Sequence, residues 1–439
     1  QRKIAQLLDY SLHKTQFGFR KGKSTAHALL TIRRIQDYVE KTGTESHILL
    51  LDWEKAFDKV DQKMLIEALK FQGLPPKHIK LVEALYEDPT FRVSIEGKQS
   101  PEYLQETGIR QGCPLSPYLF ILCMDAIFTL IQKELDSIHD LKGIKGLNLD
   151  FNNLLYADDT LIIAGDKKSA EAILHRVEKF SGAFGLKLNR GKCIAISTKR
   201  QEEIRFRNGE KMPSEKSAEY LGSQINFKAD TDAEVKRRIQ TANLTWQRLK
   251  KFWLNDRIST KYTVLVYDAV IRSKIVYGLE SARLTQPLKN KLVGFQMKGL
   301  RRILRKKHPF WDRENTNANV LRTANEQAYT EGDKQITLLT DYILDSSCKL
   351  LGHVIRTANE DPLRQATFRP GTANPHVPEV RRVGRPRIHW VESVMEHIWD
   401  SLEDMRIQED DVDNLWGEFD AKNEDHCEWI ENLAHARII

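Results

Sequence analysis

A chain of 439 residues with 41% hydrophobic residues is long enough for two or three domains and apolar enough to bury their cores. Its longest apolar stretch, residues 118–128, is too short for a bilayer and contains Asp125, which excludes a helical membrane span; its five cysteines lack paired spacing, and Cys348 and His353 lack further ligands at finger spacing. The net charge of +7 points to a polyanionic partner, and the unpaired cysteines to a reducing intracellular compartment.

In chain order, a helical pattern over residues 24–40 leads into Ser46-His47-Ile48-Leu49-Leu50-Leu51, an apolar run too brief for a helix. It reads as a buried strand that ends at Asp52-Trp53. Helical stretches follow over residues 62–71, with Asp61 as the expected N-cap, and over residues 77–86; residues 91–104 read as a hairpin. Gly112-Cys113-Pro114 then turns into a long apolar helix over residues 117–135, for which Ser116 is the expected cap. Backbone amides at such a helix start favour phosphate or a base edge, although a loop that merely precedes a core helix has the same pattern.

Tyr156-Ala157-Asp158-Asp159 lies between two apolar runs, Asn153-Leu154-Leu155 and Leu161-Ile162-Ile163-Ala164. Successive side chains of a strand point to opposite faces, so both acids serve one site only if the chain reverses there, and the flanks read as a hairpin. An acidic turn without chemistry fits that pattern too. Asp52 shifts the balance, because a third carboxylate at a strand end beside the pair creates repulsion that a cation must relieve. Oxygen-only ligands favour magnesium or manganese, and two such ions roughly 3.5–4 Å apart suit in-line phosphoryl transfer.

A helix near residues 169–184, a strand over residues 193–197 and a turn at Tyr220-Leu221-Gly222 complete a pattern of antiparallel sheet backed by helices. Beyond Asp232 long helices take over. Lys236, Arg237, Arg238, Arg248, Lys250 and Lys251 share a stretch with Trp246, Phe252 and Trp253; a second cluster from Lys298 to Lys307 holds Arg301, Arg302, Arg305 and Lys306. Such helices suit a duplex backbone, and a solvated face is the plainer reading of the first. Four prolines with Gly371 and Gly384 mark residues 368–387 as a linker or arm, in which Arg381-Arg382-Val383-Gly384-Arg385-Pro386-Arg387 has the form of a minor-groove hook. Glu409, Asp410, Asp411 and Asp413 make the tail acidic.

Six of these segments, in this order, resemble the reverse transcriptases of non-LTR (LINE-like) retrotransposons. Gln16-Phe17-Gly18-Phe19-Arg20-Lys21-Gly22-Lys23-Ser24-Thr25 is similar to the fingers motif of that family, and Leu51-Asp52-Trp53-Glu54-Lys55-Ala56-Phe57-Asp58 to its first metal-binding motif. Arg110-Gln111-Gly112-Cys113-Pro114-Leu115-Ser116-Pro117, the Tyr-Ala-Asp-Asp hairpin, Gly185-Leu186-Lys187-Leu188-Asn189 with Lys192, and Tyr220-Leu221-Gly222 follow.

The resemblance implies an α+β right-hand polymerase: partial fingers over residues 1–45, a palm with an antiparallel sheet and fingers insertions over 46–230, and a helical thumb over 231–310. A helical connection over 311–366, the linker over 367–389 and a helical, acidic C-terminal region over 390–439 would follow. It implies Asp52, Asp158 and Asp159 as catalytic acids that hold two Mg2+ ions, with Mn2+ as a substitute, and a further oxygen from the Trp53 carbonyl. Arg20, Lys21, Phe57, Gln111, Gly112 and Lys192 would bind the nucleotide. Phe57 would exclude a 2′-hydroxyl, although a core phenylalanine is its plainer fate, and Lys192 would protonate the leaving pyrophosphate. Tyr156, Tyr220, Leu221, Gly222, Arg301, Arg302 and Arg305 would hold primer and template.

The implied partners are an RNA template, a DNA primer or target and deoxynucleoside triphosphates, with no membrane. The implied setting is a cytoplasmic ribonucleoprotein and the nucleus during integration. The start at Gln1 is read as that of a fragment without further fingers sequence or an upstream endonuclease. A catalytically inactive, retroelement-derived nucleic-acid-binding protein and an RNA-templated RNA polymerase are the competing readings.

Overall fold

The computed structural model describes residues 2–199, 201–329, 335–376, 389–404 and 419–436. At its centre four antiparallel strands pair in the order Asn153–Tyr156, Asp159–Ala164, His47–Leu51 and Ile194–Ser197. Both faces are covered, so the strands are apolar at nearly every position instead of alternating. Leu49, Leu51, Ile162, Ala164 and Ala195 enter one core with the helices Ser116–Leu135 and Lys167–Ala183. Ile48, Leu161, Ile163 and Ile196 enter a second core on the opposite face, beneath the helix Thr25–Thr42.

The helix Gln62–Phe71 has the expected bounds, and Asp61 caps it through a bond from the Met64 amide at 2.8 Å. Ser116 is not a cap. It lies inside its helix, Leu115 takes the N-cap position, and the Ser116 hydroxyl donates to the Arg110 carbonyl at 2.6 Å. Residues 91–104 form a broken hairpin of two short ladders, Thr90–Phe91 with Tyr103–Leu104 and Ser94–Ile95 with Lys98–Gln99. Within the apolar helix the buried Asp125 is bonded by the His13 amide at 2.7 Å, the His13 ring at 2.6 Å and the Gln72 side chain. These partners meet the cost of its burial and tie the N-terminal segment to the palm. No helix among the described residues is long and apolar enough to cross a membrane.

A third core gathers the thumb, and its helices do not stop at residue 310. Asp232–Arg248, Thr260–Val266 and Gln286–Ile303 pack with Asn317–Ala328 and the first half of Leu339–Ile355. The second half of that last helix, through Leu350, Leu351, Val354 and Ile355, joins the palm core instead. The helices Trp390–Asp404 and Glu424–His435 join it as well, with the Trp390 indole donating to the Glu280 carbonyl at 2.9 Å and stacked beneath Arg34. The C-terminal region is thus part of the palm's far wall. The hook from Arg381 to Arg387 and the acidic run Glu409, Asp410, Asp411 and Asp413 lie outside the described residues.

Candidate active site

The register of the central sheet assembles the acids. Tyr156 pairs with Asp159 across a two-residue turn, and Leu51 pairs with Thr160, so Asp52, one residue further along its strand, reaches the level of Asp159. The turn places the left-handed backbone on Ala157, φ 58°, and on neither acid, as a type II′ hairpin requires. An alanine bears that conformation at a cost of about 1 kcal/mol or more, so the surroundings must impose it.

Those surroundings come from the fingers motif. Gln16 is wholly buried, and its side-chain oxygen accepts the Ala157 amide at 3.2 Å and the Gly18 amide at 2.8 Å. Phe17 and Leu155 are bonded through their backbones at 2.8 Å, which lays the segment alongside the hairpin strand. A Cβ on Gly18 would stand 2.5 Å from the Ala157 nitrogen. The motif therefore clamps the turn that carries the acids, a role its residue types do not announce, because the partner lies 141 positions away.

Asp158 and Asp159 are exposed, yet the protein around Asp159, followed by the charges of Asp158 and Asp52, pushes its carboxyl up to about 6. Three carboxylates at one end of the sheet form a donor set of hard oxygens, the chemistry that suits a divalent cation. The Trp53 carbonyl stays out of the bridge to Leu188, whose bonds run from the Asn189 amide to Asp52 and from the Glu54 amide to Lys187. The Trp53 ring is fixed by its bond to the Thr160 hydroxyl at 3.1 Å. Among the described residues, the three that bring ligand atoms within 4.8 Å of one another are Glu45, His47 and Glu202, at the far end of the strand, with Lys199 already paired to both glutamates.

The Asp159 shift carries a pH signature. The unfolded chain holds this carboxyl at its ordinary 3.8, so between about pH 4 and 6 the folded protein binds the extra proton and gains stability as pH falls. Asp159→Asn removes the repulsion: the melting temperature of the metal-free protein should rise near pH 7 and the gain should vanish near pH 4. An equal change at both pH values would assign the effect to packing.

The remaining expected residues divide. Lys192 lies 3.8 Å from Asp52, in reach of the site. Phe57 is half-buried and stacks on Phe120 with ring centroids 4.3 Å apart, which fixes the ring while leaving part of it open. Gln111 is exposed and donates to Asp58 at 2.8 Å; Gly112 has φ 84° with open space where a Cβ would stand. Lys21 is exposed. Tyr156 is half-buried, and burial, then Tyr277 and Asp159, raises its pKa.

Other residues take structural places. Arg20, with its side chain 9% exposed, spends its guanidinium on Asp9 and on the carbonyls of Asp9, His13 and Gln16, so it holds the fingers segment and presents nothing to a phosphate. Tyr220 is 2% exposed and sits in the palm core; burial, then Asp159 and Tyr156, raises its pKa. The primer-grip expectation narrows to the turn itself, Leu221 with φ 47° and Gly222 with φ 71°. Tyr277, which no sequence signal marked, donates to the Leu221 carbonyl at 3.1 Å beneath Arg238.

Arg301, 8% exposed, donates to the Asn315 carbonyl at 3.0 Å and to Asn317 at 2.7 Å, while Arg302 and Arg305 are exposed, Arg305 beside Asp256. In the first basic cluster Arg237 and Arg238 clamp the buried Glu234 and the Gly222 carbonyl. Trp246 and Trp253 stack on each other at 4.5 Å within the thumb. Arg248, Lys250 and Lys251 remain exposed.

The family model described as reverse transcriptase (RNA-dependent DNA polymerase) matches residues 1–225. The chain is 30% identical over 195 residues to the Pol polyprotein of the type-2 retrotransposable element R2DM of Drosophila melanogaster, covering 42% of this chain and 18% of that protein. It is 24% identical over 313 residues to the RNA-directed DNA polymerase from mobile element jockey of the same organism, covering 67% of this chain and 32% of that protein. Among solved structures, apo telomerase from Candida tropicalis overlays with a TM-score of 0.43 at 14% identity, over 98% of this chain and 60% of that one. The match spans the segment that holds all three acids, the clamp on their hairpin and the turn beside them, and the chain belongs to the reverse transcriptase family, in its non-LTR retrotransposon branch.

Proposed function

We propose that this chain is the polymerase portion of a retrotransposon protein, adding deoxynucleotides to a DNA 3′ end on an RNA template. One observation carries the reading: the registers Leu51 with Thr160 and Tyr156 with Asp159 bring three acids from two separate segments to one end of the palm sheet. Family membership supports the template and nucleotide classes. The chain spans less than a fifth of the R2DM polyprotein and about a third of the jockey protein, so what the whole protein does with target DNA is part of the proposal.

Asp52, Asp158 and the Trp53 carbonyl would hold two Mg2+ ions, with Asp159 supporting one of them. Bound there, the ions would supply a Lewis acid for the triphosphate and lower the pKa of the attacking hydroxyl. Gly112, with left-handed backbone and open space beside it, would let the incoming nucleotide approach the main chain. Lys192, near Asp52, would deliver a proton to the departing pyrophosphate. Synthesis coupled to integration would place this step in the nucleus, after assembly with the RNA in the cytoplasm.

Phe57 would set the sugar. Its ring, braced by Phe120, would meet a 2′-hydroxyl, and Phe57→Val should raise kcat/KM for ribonucleotides about 10- to 100-fold while deoxynucleotide use changes little. Unchanged discrimination would refute the gate. The reading as a whole is tested by primer extension on an RNA template with Asp158→Asn as control; incorporation equal to wild type would leave a nucleic-acid-binding relative without catalysis.

A further inference from the structure

The two most exposed aromatic side chains among the described thumb residues are neighbours. Phe310 and Trp311, 78% and 76% exposed, stand in the loop between the helices Gln286–Ile303 and Asn317–Ala328, edge to face with ring centroids 4.9 Å apart. Large aromatic rings are seldom left this open without a partner. The loop that carries them is built. The Trp311 amide donates to the His308 carbonyl at 2.8 Å, the Asn315 side chain ties the Lys307 carbonyl at 3.1 Å to Asp312 at 2.9 Å, and the buried Arg301 holds the Asn315 carbonyl from below. Arg301, expected to touch nucleic acid, instead shapes the loop that displays the rings.

The loop and the helix end before it are rich in cations. Arg302, Arg305, Lys307 and Arg313 are exposed there, against Glu314, against Asp256, which pairs with Arg305, and against Asp312, which bonds inward to Asn315. Open π-faces framed by cations are complementary to a chain that carries bases and phosphates in alternation. A duplex hides its base faces, and a protein partner would have to bring a matching set of carboxylates to this density of like charge. We infer that Phe310 and Trp311 form a stacking site for unpaired bases of single-stranded nucleic acid, with the flanking Arg and Lys residues on its phosphates. The inference rests on the polymerase reading only in taking that strand to be RNA.

The test is equilibrium binding by the full chain of a fluorescent oligoadenylate, set beside an abasic ribose-phosphate chain of the same length. Phe310→Ala and Trp311→Ala should each weaken oligoadenylate binding about 5- to 100-fold and leave the abasic chain unaffected. Lys307→Gln should weaken both and flatten their salt dependence. Oligoadenylate affinity that survives both ring substitutions, or that falls together with abasic affinity, overturns the inference. Since both rings are exposed, melting temperatures matching wild type separate lost stacking from lost folding. Binding is read without nucleotide addition: base-dependent affinity in a chain that cannot extend a primer supports the stacking site and removes the polymerase reading alone.

Discussion

Asp158→Asn should lower the single-turnover rate of nucleotide addition by about a thousandfold or more, leaving the fold as it is. The change is isosteric and sits in an exposed turn, where the hydroxyl of Thr160 bonds the Asp158 carbonyl at 3.2 Å rather than its carboxylate. Local structure therefore does not depend on the charge. Catalysis should: a bound divalent ion contributes several kcal/mol to the transition state, and about 4 kcal/mol corresponds to a thousandfold in rate. Primer extension under rapid-quench conditions gives the rate, and thermal melting gives the fold. Loss of rate together with loss of cooperative melting would leave the role of the carboxylate unproven, so Asp52→Asn, on a different segment, is the companion variant, and both should melt cooperatively at or above the wild-type temperature.

The second large effect is expected away from the acids. In Gly18→Ala the new methyl would stand 2.5 Å from the Ala157 nitrogen and 3.1 Å from the Tyr156 carbonyl carbon, both backbone atoms that no rotamer change can move aside. Either the fingers segment retreats or the catalytic turn shifts. Overpacking of this kind costs about 1–3 kcal/mol, and displacement of catalytic groups by about 1 Å can cost a hundredfold in rate. Gly182→Ala, with open space at its Cβ position, is the control and should change neither. A Gly18→Ala enzyme that melts earlier yet adds nucleotides at the normal rate would show that the clamp serves stability alone.

The palm was legible because its signals are local. Short apolar runs closed by Asp52 and opened by Asp159 mark strand ends, and a hairpin between two such runs needs only neighbouring residues to be recognised. Asp61 was legible as a cap for the same reason, since the Met64 amide it satisfies is three residues away. Charge was a poorer guide. Arg20, Arg301, Arg237 and Arg238 carry the composition of a phosphate-binding surface, yet each spends its guanidinium on carbonyls or carboxylates of the chain itself. A planar fork of donors suits buried carbonyl clusters as well as phosphates, and only the packing says which it meets. Trp246 and Trp253 misled in the same way, because rings that could stack on bases stack on each other.

By itself the sequence determined the strands and the acids at their ends, since each depends on residue type and on spacing within a few positions. Tertiary structure alone decided that the fingers motif clamps the Ala157 turn, that the C-terminal helices wall the palm, that the thumb core runs past residue 310, and that Phe310 and Trp311 stay outside. Each of these is a contact between segments far apart in the chain. Burial and hydrogen-bond partnership are properties of the packed whole, and no local pattern of residue types encodes which distant segment will provide them.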